Sequence, residues 1–477
     1  MKVSMKIVLT IIALFLFSPA LVSAGDNGTV QDRKALITEL SLKKGVPAEI
    51  VKAIAYQETG MRQFDDNGKP IMNANEDGGI GIMQVTMNAA EIEQKGIDVQ
   101  RLSNDMAYNI EIGIEQLIEK KLWSGNRIPA FSTGSMNSSL EDWYFAVMAY
   151  NGLEQRNDPA RSASTYQDRV YQIIESRSLL KTNPPSSFAV SYNENGNIMR
   201  FDESQRVVPF HERLMTETTL TFKPGQRVFT FNPSRAAINL RSEPNTSSTR
   251  TTIPHAYPLE IVSGPLYDNN PDHHFAFFEV KRLDTNETGF IASSYLRKGE
   301  ISIFPDISSS NHEMREAVAL LESRNALNGY ADGRFGTNRP LQRLHAAVIL
   351  VNELGLTMPS GYKVKATDHG DHSAIQIAEA HGLLTPYADG KIRPRDAFRR
   401  SQMAIVLNRV YGDRFEEPTE KTRFTDIDES FESYDVINRL AFNGVTRVED
   451  AFRPNEAIRR GQFALFLNRV DELLFEN

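Results

Sequence analysis

The final third of the chain is written three times over, and no other feature constrains its fold as much. FPDI at 304, ATDH at 366 and FTDI at 424 each open a unit, which sets Asp306, Asp368 and Asp426 at intervals of 62 and 58 residues. Each unit continues with a helical run and then an arginine before a second helix: Arg343, Arg400 and Arg460. The first two units also share a turn, GYADGRF at 329–335 and PYADGKI at 386–392. Three like helical repeats are therefore expected over 302–360, 361–416 and 422–477.

The other end of the chain bears on its destination. Lys2 and Lys6 precede the apolar run IVLTIIALFLF, and Val22-Ser23-Ala24 supplies small residues for cleavage, the layout of a secretory signal peptide over residues 1–24. No later segment approaches the roughly 18 apolar residues of a membrane-spanning helix, so an exported chain without an integral membrane segment is expected. With no cysteine among 477 residues, disulfides, thiolate metal sites and cysteine nucleophiles are excluded. A net charge of −8 without a basic stripe argues against nucleic-acid binding.

Between these ends two further regions are distinguishable. Residues 29–182 space apolar residues at three and four, as in PAEIVKAIAYQE and LEDWYFAVMAYN, and hold both tryptophans, Trp123 and Trp143. The paired prolines of TNPPSSF break that pattern, and 183–224 is expected as a linker with a possible β-hairpin. Five strand-like runs follow over 225–298, from RVFTF to GFIASSYL, which predicts a small all-β barrel.

Within AIAYQETGMRQF the acid Glu58 lies roughly 20° from Val51 and 40° from Ile54 on a helical wheel, on the apolar side. A carboxyl among apolar neighbours loses hydration, its pKa rises, and it can serve as a general acid. The alternative is a helix-end carboxylate that reaches solvent. Asp65, Asp66, Glu76 and Asp77 follow and could supply a second carboxylate, although DDNG at 65–68 favours a solvated turn.

This helix, with GGIGIMQVT at 78–86, DMAYNIEIGIEQL and AYNG at 149–152, resembles the soluble lytic transglycosylase family, whose fold is that of goose-type lysozyme. The resemblance implies peptidoglycan glycan strands as substrate and Glu58 as the sole acid/base. It also implies Thr59, in place of the usual serine, Met83, Gln84, Tyr150 and Asn151 as substrate-binding residues. The substrate's own N-acetyl group and C6 hydroxyl would replace the second carboxylate of a hydrolase. A hydrolytic lysozyme using a second acid, or a non-catalytic wall-binding protein, are the alternatives.

AINLRSEPNTSS at 237–248 and GFIASSYL at 289–296 resemble the opening and closing of bacterial SH3-like domains, which often bind wall peptides. Phe275, Phe277 and Phe278 are expected as partly core, and His273 and His274 as a loop pair rather than metal ligands. No cofactor or metal is expected. The repeats resemble S-layer homology domains, which anchor exported proteins to secondary cell-wall polysaccharide. Arg343, Arg400 and Arg460 match the arginine of that family's Thr-Arg-Ala-Glu motif, while its glutamate and early tryptophan are missing. An arginine fork suits a pyruvylated polymer. The expected whole is multidomain: an all-α lysozyme-like domain, an SH3-like barrel and an α-helical repeat trimer, at the wall or surface of a Gram-positive-type bacterium.

Overall fold

The computed structural model describes residues 25–73, 78–134, 136–185 and 187–476, so the expected signal peptide and the loop acids Glu76 and Asp77 lie outside the described residues. Among the described residues, seven α-helices form the N-terminal region: α1 (Val30–Lys44), α2 (Ala48–Thr59), α3 (Ala89–Lys95), α4 (Val99–Asn104), α5 (Met106–Lys121), α6 (Tyr144–Asn151) and α7 (Tyr166–Ile173). Thr29 and Asp32 cap the start of α1 reciprocally, and Gly45, at φ 72°, ends it in a left-handed conformation. Ile37, Ile54, Ile110, Val147 and Val170, one from each long helix, are fully buried in a common core. Helices α3 and α4 are mostly exposed, so they lack the apolar periodicity that marks the others.

The segment expected as a linker folds back onto this core. A short parallel pair joins β1 (Ala130–Phe131) to β4 (Val207–Val208), and β2 (Ser191–Tyr192) and β3 (Met199–Arg200) form a small hairpin. Met199 and Phe201 are buried in the helical core, with Phe188, Val190 and Tyr192 packed beside them. The alternating apolar residues of this stretch find cover on the helices, which a free linker would not need.

A seven-stranded antiparallel sheet follows: β5 (Arg227–Thr230), β6 (Ile238–Arg241), β7 (Arg250–Ile253), β8 (Pro258–Leu266), β9 (Phe277–Arg282), β10 (Thr288–Ala292) and β11 (Leu296–Lys298). Their spatial order is β11-β5-β8-β9-β10-β6-β7. Five strand-like runs expand to seven because β7 is an edge strand whose first three residues are exposed, and because GFIASSYL splits at a 3-10 turn into β10 and β11. Phe275, Phe277 and Phe278 are all buried.

Each repeat contributes two helices: α8 (His312–Ser323) and α9 (Arg343–Glu353), α10 (Ser373–Ala380) and α11 (Arg400–Tyr411), α12 (Tyr434–Phe442) and α13 (Arg460–Asp471). The repeated aspartate ties the turn ahead of each second helix. Asp306 accepts the backbone N–H groups of Phe335, Gly336 and Thr337, Asp368 those of Ile392 and Arg393, and Asp426 those of Phe452 and Arg453. Main-chain bonds then close the three units into a ring. Leu341 N–H donates to the Ile458 carbonyl at 2.8 Å, Ile458 to Phe398 at 2.8 Å, and Phe398 to Leu341 at 2.7 Å.

The repeated arginines, read from the sequence as polymer-binding, are buried at these junctions. Arg343 Nε donates to the Ile392 carbonyl and Arg400 Nε to the Phe452 carbonyl, both at 2.7 Å, and Arg460 reaches the Asn328 carbonyl. Each arginine thus spans to the next unit of the ring. Replacing Arg400 with alanine strands a buried carbonyl and is expected to lower stability by about 1–3 kcal/mol. The exposed Arg423→Ala should stay within about 0.5 kcal/mol of the unaltered protein. Urea unfolding of both variants is the check.

Candidate functional site

Glu58 occupies the last turn of α2, where Gly60, at φ 64°, ends the helix by returning its N–H to the Ala55 and Tyr56 carbonyls. The carboxyl is half-buried. Tyr166, at the first position of α7, donates its hydroxyl to Glu58 Oε1 at 2.5 Å. Burial, followed by the Glu58 charge, pushes the Tyr166 and Tyr150 hydroxyls well above the usual phenol range, so both stay protonated and able to donate. Tyr166 escaped the sequence reading. Its only local signal is its place just after the helix-capping Thr165, on the buried side of α7.

The motif residues gather around this helix end. The Thr59 hydroxyl donates to the Ile82 carbonyl at 3.0 Å and so ties α2 to the 79–85 loop. Tyr150 Oη donates to the Met83 carbonyl at 2.7 Å. Gln84 sits at φ 47°, with its amide nitrogen 2.8 Å from the Gly81 carbonyl. Asn151 Oδ1 accepts from Asn157 at 3.1 Å, and the same Asn157 accepts the Tyr166 N–H at 3.2 Å. One amide therefore connects the Tyr-Asn motif to the tyrosine on Glu58. Met83 is fully buried as a whole residue, so its part is to hold Tyr150 through its backbone carbonyl.

Two buried amides shape the 79–85 loop, and the sequence reading missed both. Gln63 Oε1 accepts the Ile82 N–H at 2.9 Å, and Asn109 Oδ1 accepts the Met83 N–H at 3.0 Å. Gly81, at φ 71°, passes so close to these amides that a Cβ there would lie 2.4 Å from Asn109 Nδ2. Of the loop acids, Asp65 accepts the N–H groups of Asn67 and Lys69 and is held below the usual carboxylate range by those bonds. Asp66 is almost fully exposed and pairs with Arg62 at 2.9 Å. Both serve the turn.

His273 bonds Asp268 at 2.6 Å, and His274 is buried against α2. Among the described residues there is no group of three or more His, Cys, Asp or Glu side chains able to hold a metal ion. Helix α5 contributes Gly113 to the site: a Cβ at this position would meet Met83 Cβ at 2.6 Å. Gly113→Ala should therefore displace the Met83 backbone that holds Tyr150 and cost about 1–3 kcal/mol, measurable by thermal or urea unfolding.

Comparison with known proteins matches residues 35–172 to the transglycosylase SLT domain and residues 303–347, 366–404 and 423–464 to the S-layer homology domain. Over 172 residues the chain is 29% identical to cell surface glycoprotein 1 of Acetivibrio thermocellus, covering 32% of this chain and 7% of that protein. Over 159 residues it is 26% identical to an uncharacterized cell wall amidase of Bacillus anthracis, covering 31% of this chain and 29% of that protein. The chain thus spans under a third of either relative. The helices around Glu58 form a transglycosylase SLT domain, and three S-layer homology repeats follow it in the same chain.

Proposed function

We propose that this protein is a lytic transglycosylase that cuts the β-1,4 bond between N-acetylmuramic acid and N-acetylglucosamine, with Glu58 as its one acid/base. The observation that carries the reading is the 2.5 Å bond from Tyr166 to Glu58 Oε1 at the end of a buried helix. It fixes one carboxyl oxygen, and Glu58 in its acid form carries the proton. Glu58 donates that proton to the glycosidic oxygen as the C1–O bond breaks, and the N-acetyl carbonyl oxygen shares the charge at C1. The C6 hydroxyl then attacks C1 and returns its proton to Glu58, which gives a 1,6-anhydro end and a free 4-hydroxyl. Thr59, Gln84, Tyr150 and Asn151 form the wall of the glycan groove, and buried Met83 holds Tyr150 from behind through its carbonyl.

Glu58→Gln keeps the shape but can neither give nor take the proton, so muropeptide release should fall by about 10² to 10⁴. Mass analysis of products from purified wall tests the rest. Anhydro ends support transglycosylation, whereas reducing ends would assign the chain to the hydrolytic class.

The repeats hold the enzyme to secondary cell-wall polysaccharide. A cleft of about 370 Å³ between the second and third repeats is lined by Arg343, Tyr387, Arg399, Gln402, Arg409 and Asn455, with Glu432 also present. Arg399 and Arg409 are exposed and suit a carboxylate-bearing polymer, while Arg343 and Arg400 brace the second and third repeats on either side of the cleft. The sheet domain, residues 225–298, is read as SH3-like, and the closed ring of repeats as a pseudo-threefold S-layer homology trimer. Arg399→Ala with Arg409→Ala should weaken co-sedimentation with walls about tenfold or more and leave cleavage of soluble glycan unchanged. Undiminished sedimentation would remove this cleft from the anchor.

A further inference from the structure

The helix that carries Glu58 belongs to two cores. Val51, Ile54 and Ala55 lie in the helical core, whereas Ala48 lies in the apolar cluster of the sheet. Glu49, Lys52 and Tyr56 lie on the side of the helix away from Glu58, roughly 120° to 180° from it by the helical period. Beside the apolar contacts of Ala48, these three residues make polar and aromatic contacts. Glu49 accepts the Thr218 hydroxyl at 2.8 Å and the Thr219 N–H at 2.9 Å. Lys52, fully buried, donates to the His274 carbonyl and, at 3.2 Å, to the Tyr267 hydroxyl, which also lies 2.6 Å from Thr38 Oγ1 of α1. The Tyr56 ring meets the His274 ring edge-on at 5.1 Å.

A buried lysine without a bonded carboxylate is costly, and an apolar residue of its size would give the more stable helix. Burial, ahead of the attraction of Glu49 and the repulsion of Lys34, brings its ammonium down to about 7. Directional bonds supply what apolar packing lacks, a fixed rotation and height of the helix about its axis. We propose that Lys52 is a positioning residue for the transglycosylase reaction, which makes the sheet-domain loop Tyr267–Phe275 part of the catalytic unit rather than a separable module. The inference rests on Glu58 being the acid/base. It extends beyond the matched domain, which ends at 172, because the loop lies about a hundred residues further on.

The test uses the full chain on soluble, uncrosslinked glycan strands, with kcat, KM and melting temperature measured for each variant. Lys52→Met keeps the volume and removes the donors. Its melting temperature at neutral pH should equal or exceed that of the unaltered protein, its KM should stay within about twofold, and its kcat should fall about 10- to 100-fold, as for a displaced acid. Lys52→Gln, which keeps a donor, should recover part of the rate. A merely structural role would move rate and stability together, whereas here they part. A kcat within twofold for Lys52→Met overturns the proposal. If that variant does not fold, Tyr267→Phe decides: a severalfold loss of kcat supports the proposal, and an unchanged kcat overturns it. Glu58→Gln is run alongside. Full activity there would sink the reading of the site itself, whereas an inactive Glu58→Gln beside a normal Lys52→Met sinks only this inference.

Discussion

Eight consecutive residues of α2, Ala48 to Ala55, are buried, a condition a helix reaches only when it is covered on every side. Here α1 and α7 cover one side and the sheet domain covers the other. The polar residues within that run, Glu49 and Lys52, have partners on the sheet side. A helix so held has little freedom to roll or slide, and its last turn is the one that carries Glu58. Under the proposed role of Glu58 such rigidity matters, because small displacements of a reacting group cost large factors in rate.

The same economy of motion extends to the C-terminal half. Arg213, from the segment that wraps the helical core, bonds Glu353 at 2.7 Å and also Asp471, so it reaches the first and third repeats together. Arg235, near the start of β6, pairs with Glu316 at 2.6 Å and with Glu472. These buried or half-buried carboxylates lie on helices of the first and third repeats, and Arg324 also pairs with Glu353 and Asp471, so the junction is a network of charges rather than isolated pairs. The transglycosylase domain and the repeats are thus joined by a braced junction rather than a flexible tether. In such a body the direction in which the Glu58 end of α2 faces follows from how the repeats are seated. For a braced enzyme the gain in effective concentration comes with an orientation as well.

What the sequence discloses of this arrangement depends on whether a residue's role is local. The repeats were legible because the same aspartate and arginine recur three times, whereas the sequence assigned those arginines to polymer binding and the structure buries them at the junctions between units. Glu58 was singled out because an acid on the apolar side of its helix, four residues after Ile54 and seven after Val51, is anomalous. Tyr166, Gln63, Asn109 and Lys52 were not. Each acts across 19 to 222 residues of chain, and each looks unremarkable in its own helix or loop. The hairpin region over 183–224 read as a linker because its cover comes from helices far away in sequence. Exposed elements such as α3, α4 and β7 lack the apolar pattern on which such readings depend.

The missing glutamate of the repeat motif has a physical answer in the second and third copies. Gln402 and Gln462 stand at the third position of α11 and α13, and their side-chain oxygens accept the backbone N–H groups of Arg399 and Arg459 at 3.1 Å. That is the bond a glutamate makes in a capping box, and an amide oxygen makes it equally well. The helix start is therefore kept while a negative charge is removed. Gln402 uses its remaining amide to donate to Tyr387 Oη at 2.9 Å, on the wall of the cleft between the second and third repeats. A glutamate in that place would set a carboxylate beside Arg399 and compete for the positive charge that an anionic polymer requires. The substitution leaves the fold of the repeat intact and makes the cleft less acidic.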